Sequence, residues 1–122
     1  MFVALGAINL AIAVILGAFG AHGLKARLTP EQMAWWHTGC EYHFIHALGL
    51  LGLGVLLAAR PELGLPRGVG VCLLLGILVF SGSLYAMALG APRWFGAITP
   101  IGGTAFIAGW LWLAAAAWQK GI

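Results

Sequence analysis

The sequence predicts an all-α fold, an integral membrane four-helix bundle, and three observations carry that expectation. Of the 122 residues, 62% belong to the hydrophobic set and 7% are charged, where soluble domains carry roughly 25% charged residues. The mean hydropathy is +1.01. The charges collect in short breaks between apolar runs, and each run approaches the roughly 20 residues that a helix needs to cross a hydrocarbon core about 30 Å thick. One transmembrane domain over residues 1–122 follows, with spans at 2–21, 37–59, 68–90 and 100–118. Little length remains for an extramembrane domain.

The first run, "MFVALGAINLAIAVILGAFG", lacks the basic leader of a signal peptide and reads as a span. The second is preceded by "LTPEQMAWW". There Thr29 can cap, Pro30 can open the helix and Gln32 can close a capping box, so helix 2 starts near residue 30, ahead of its membrane portion. The third contains "FSGSLY", and the fourth opens on "ITPIGG", in which Thr99 and Pro100 repeat the cap followed by proline. That echo suggests a degenerate repeat of one helical hairpin. Gly17, Gly20 and Gly23 near the end of helix 1, and Gly102, Ala105 and Gly109 on helix 4, are spaced for close helix contact in lipid.

Charge excludes more than it assigns. The net charge of +3 is scattered over loops and the C-terminal end, so no basic stripe is available to follow nucleic acid. Lys25, Arg27 and Arg93 fall on one membrane side and Arg60, Arg67 and Lys120 on the other, a balance in which the positive-inside rule favours neither orientation. Cys40 and Cys72 form no CxxC pair and read as small buried hydrophobes.

The polar residues inside the runs are the candidate site. Trp35, Trp36, Trp94, Trp110, Trp112 and Trp118 are natural interface anchors. Counted inward from Trp36 at 1.5 Å per residue, Glu41 lies about 7 Å deep, His43 about 10 Å and His46 about 15 Å. On helix 3, Tyr85, Ser83 and Ser81 fall at about 7, 10 and 13 Å. Asn9 comes out near 16 Å and Thr104 near 7 Å. These residues predict a polar shaft in the bundle interior, with His22 at its mouth. Ionisable groups at such depth cost a few kcal/mol unless paired, which makes them site candidates by default. The competing reading is that neutral histidines act only as interhelical hydrogen-bond glue.

Residues 37–46 read H-x-x-C-x-x-H-x-x-H, a metal motif on paper. On a helix, each three-residue step drifts by about 60°, so only neighbouring members can share an ion. His43 with His46 is the pair to consider, with Glu41 of another copy or His22 as a third ligand. A bis-histidine haem lacks a second histidine at matching depth, and no activated nucleophile suggests hydrolase chemistry. No cofactor is specified. A proton-coupled small-solute transporter working as a dimer through Glu41 and the histidines is the principal alternative, and a histidine-based metal-binding protein is a further one.

Four blocks carry a resemblance: "LGAFGAHGLKARL", "TGCEYHFIHALGLL", "FSGSLYAMALG" and "ITPIGGTAFIAGW", in order over residues 16–110. Together they resemble the bacterial YgdD-like family of small membrane proteins of unknown function, which has eukaryotic relatives. The resemblance implies a four-helix protein of the bacterial inner membrane with no agreed activity. It singles out His22, Glu41, Tyr42, His46, Ser81, Ser83, Tyr85, Thr99, Pro100, Gly102 and Gly103. His43 departs from a pattern that often carries an amide there, which weakens a two-histidine metal site as the shared role. The resulting expectation is a non-catalytic protein of the lipid bilayer. Its polar cluster stabilises the bundle and offers a place for a small ligand, a lipid or a partner, in a homo-oligomer or as an accessory subunit of a larger membrane complex.

Overall fold

The computed structural model describes residues 1–122. Four helices are long and apolar enough to cross a membrane: α1, Phe2–Leu24; α2, Pro30–Ala59; α3, Gly68–Ala88; and α4, Thr99–Lys120, entered through a 3-10 turn at Arg93–Ala97. Together they form an integral membrane four-helix bundle. Two spans carry a wide π turn: Gly20–Leu24 closes α1, and Ile77–Ser81 interrupts α3. The turn in α3 adds a residue to the register and re-aims the serines that follow.

Local chemistry sets the ends. Thr29 accepts a hydrogen bond from the Gln32 backbone N–H at 3.2 Å, and Gln32 Oε1 accepts from the Thr29 N–H at 2.9 Å. That is a complete capping box ahead of Pro30. Thr99 behaves differently. It is the first residue of α4 rather than its cap, because Ile98 before it is already in helical conformation at the end of the 3-10 turn. The expected echo of the first hairpin's cap is therefore absent, and the freed hydroxyl turns toward α3.

Two close pairs, α1 with α2 and α3 with α4, are joined through a central contact between α2 and α3. The core follows that layout. Leu53, Val69, Leu73, Ile77 and Phe106 fill one end, and Leu24, Trp36, Cys40 and Ala88 fill the other. Small residues set the spacing. A Cβ on Gly6 would stand 2.6 Å from the Leu51 backbone nitrogen, and one on Gly54 would stand 2.5 Å from that of Val3, so α1 and α2 touch backbone to backbone. Gly102 likewise lies on the Phe80 backbone and Gly109 against Cys72, which closes α4 onto α3, whereas Gly17 meets only Phe44 at 3.9 Å.

Trp36 is the exception among the tryptophans. It is 2% exposed and wedged between α1 and α3, where Gly20 makes room for its indole. Its Nε1–H donates to the Leu16 carbonyl at 3.1 Å, and its ring lies 4.8 Å from that of Tyr85. An indole whose single donor is satisfied on a neighbouring helix has no need of the headgroup region.

Candidate functional site

His43 occupies the centre of the molecule because its place on α2 faces both α1 and α3. Its Nδ1 lies 3.1 Å from the Tyr85 hydroxyl, and its Nε2 lies 3.2 Å from Asn9 Oδ1. Asn9 Nδ2 donates to the Leu5 carbonyl at 2.8 Å, which fixes the amide with its oxygen toward the histidine. An amide oxygen only accepts, so Nε2–H donates to Asn9 Oδ1, and Asn9 in turn donates to the α1 backbone. In the neutral ring Nδ1 then accepts from the Tyr85 hydroxyl. Both nitrogens are engaged, tying three helices together.

His46 lies one turn deeper and belongs to a different environment. Its Nδ1–H donates to the Tyr42 carbonyl at 2.6 Å, an oxygen that also serves the backbone of its own turn of α2. Its ring stacks on Phe106 of α4 with centroids 3.3 Å apart, beside Tyr42. The angular drift along α2 thus sends His43 toward α1 and α3 and His46 toward α4. The pair does not form a shared metal site, and no group of three His, Cys, Asp or Glu side chains is gathered to hold an ion.

The serines also part company. Ser83 Oγ lies 2.6 Å from Thr99 Oγ1 and donates to the Phe80 carbonyl at 2.9 Å, a hydroxyl link between α3 and α4. Ser81, at the end of the π turn and fully buried, has a hydroxyl with no partner.

The expected continuous shaft is therefore broken up, and three of its members lie outside it. Glu41 and Thr104 are exposed on the outer faces of α2 and α4, and Thr104 satisfies itself on the Pro100 carbonyl at 2.8 Å. His22, in the π turn, is exposed as well. Depth along the axis was the only coordinate available for grouping them, and it is blind to azimuth. It also paired Tyr85 with Glu41, whereas the long phenol reaches about 3 Å further along α2, to His43. Phe106, the platform for His46, went unassigned as a site residue, and Thr99 was marked by the family resemblance but not as the partner of Ser83.

The fold and its internal hydrogen bonds define a small polytopic membrane protein with a buried polar bridge. The chain belongs to the family described as "Protein of unknown function (DUF423)", whose model matches residues 16–103. It is 44% identical over 117 residues to the UPF0382 membrane protein YwdK of Bacillus subtilis, covering 96% of this chain and 95% of that one. It is 47% identical over 116 residues to the UPF0382 membrane protein SERP0230 of Staphylococcus epidermidis, covering 95% and 93%. It is 44% identical over 99 residues to the UPF0382 inner membrane protein YgdD of Escherichia coli K12, covering 81% and 75%. No solved structure matches the chain.

Proposed function

We propose that this chain is a non-catalytic protein of the bacterial inner membrane, in which buried polar side chains fix helix packing and the outer helix faces do the work of association. The inner-membrane placement comes from the printed name of the YgdD relative. The observation that carries the reading is the state of His43. Both ring nitrogens are consumed by Tyr85 and Asn9, so this buried ionisable group is spent on structure and has no valence left for substrate. Ser83 spends its hydroxyl in the same way, and His46 commits Nδ1 to the Tyr42 carbonyl while its ring is held flat on Phe106.

Native mass spectrometry of the protein extracted gently from its own membrane tests the reading. The expected result is the bare polypeptide mass with lipid adducts alone. A stoichiometric small molecule or ion, lost when Ser81→Ala or His46→Ala is introduced into a chain that still folds, would convert the interior into a binding site and overturn it. Ser81 is the discriminating position because its hydroxyl is the buried side-chain polar atom that the protein leaves unpartnered.

A further inference from the structure

We propose that the outer face of α2 is the seam of a parallel homodimer, closed around Glu41, an assignment independent of the role given to His43. Ala34, Thr38, Glu41, Ile45, Leu48, Gly52, Val55 and Ala59 run down this face at alternating steps of four and three residues. All are exposed except Thr38, which is half-buried. That alternation is the heptad repeat of a helix that packs along its whole length against another. Within it Ile45 takes the a position and Leu48 the next d position, the order that favours two parallel strands.

Depth makes the face a poor one to leave in lipid. Gly39 packs on Tyr85 and Leu84, three to four residues before the end of α3, so Glu41 lies about 8 Å inside that end. A carboxylate turned outward at that level is costly in hydrocarbon. No intramolecular partner offsets this, since the ion pairs of the chain are Arg60–Glu62 and Arg93–Glu31.

A second copy supplies what is missing. Copies inserted with the same orientation bring α2 against α2 in parallel and in register, about a two-fold axis along the membrane normal. In knobs-into-holes packing, Glu41 at a d position enters a hole formed by Thr38, Glu41, Tyr42 and Ile45 of the other copy. The Tyr42 hydroxyl is therefore offered to the carboxyl, and each copy returns the same contact, while the Thr38 hydroxyl stays bonded to the Ala34 carbonyl at 3.0 Å. Tyr42 is 39% exposed, and no hydrogen bond engages its hydroxyl. The two carboxyls lie on either side of the axis, each facing the other copy's Tyr42 hydroxyl. One turn above, His37 is exposed on the same side of α2. Further down, a Cβ on Gly52 would meet nothing within 4 Å; this notch admits the partner's backbone.

The test is photo-crosslinking of the full chain in its native membrane, with a benzophenone amino acid in place of Ile45 or Leu48. Replacements of Ile12, Leu75 and Leu111, which are also exposed, serve as the other faces. The expected product is an adduct of twice the chain mass from positions 45 and 48 and little from the rest. Gly52→Leu fills the notch without touching the protomer and should cut the adduct from position 48 at least tenfold, while leaving helicity in place. Absence of the adduct, equal yields from all five positions, an adduct with lipid or another polypeptide, or indifference to Gly52→Leu would each overturn the assignment.

Discussion

Removing one member of the His43 bridge tests whether polar side chains hold these helices together. His43→Leu keeps a side chain of comparable bulk but breaks the contacts to Asn9 and Tyr85 at once. Interhelical hydrogen bonds in membranes average about 0.6 kcal/mol and reach about 1.7 kcal/mol. Two of them, with an acceptor and a donor left unpartnered in an apolar interior, put the loss at about 1–3 kcal/mol. A double-mutant cycle with Asn9→Leu isolates one strand of the bridge and should return a coupling of about 0.6–1.7 kcal/mol. Thr104→Val, on the outer face of α4 and bonded within its own turn, should show none with His43→Leu. Reversible unfolding by denaturing detergent in mixed micelles, followed by circular dichroism, provides the free energies. A His43–Asn9 coupling within about 0.3 kcal/mol of zero would refute the bridge and the proton assignment derived from it.

Three further outcomes follow from the same geometry. Gly6→Ala places a methyl on the Leu51 backbone, 2.6 Å from its nitrogen, and should cost about 1–3 kcal/mol by forcing α1 off α2; Gly82→Ala, with open space around it, should cost nothing in the same unfolding assay. Ser81→Ala removes a buried hydroxyl that has no partner and should be neutral or slightly stabilising, whereas Ser83→Ala breaks the link to Thr99 and should cost about 1 kcal/mol. In the exposed turn after α2, the Arg60 guanidinium, helped by Glu62's own backbone N–H, holds the Glu62 carboxyl below its ordinary 4.5. That clasp is complete above the ordinary value and fades as pH falls through the lowered one. The carboxyl carbon's NMR titration should therefore have its midpoint below 4.5, returning toward it in Arg60→Gln.

The fold class and the number of helices were legible because each depends on local quantities. Apolar length decides whether a segment crosses a membrane, and Thr29, Pro30 and Gln32 specify a helix start within one short stretch of chain. The site was legible in membership more than in arrangement. His43, Asn9, Tyr85 and Ser83 were marked by polarity at depth, and each does take part in an interhelical hydrogen bond. Glu41 and Thr104 carried the same mark and face outward, because an axial count gives every residue a depth and none of them a direction. Trp36 misled for a related reason. Its composition suits an interface, but Gly20 and the Leu16 carbonyl on another helix give it a buried seat.

By itself, then, the sequence determined the solvent, the number of helices, the ends that capping chemistry can write, and which side chains would be costly in lipid. The tertiary structure decided which of those costs are met inside the chain. The azimuth of each helix is set by where its neighbours approach closest. Those approaches are fixed by contacts such as Gly6 on Leu51 and Gly102 on Phe80, between residues far apart in the chain. Once α1 and α3 close on α2, His43 falls between Asn9 and Tyr85, while Glu41, two residues earlier and so about 200° around the helix, is turned to the outside.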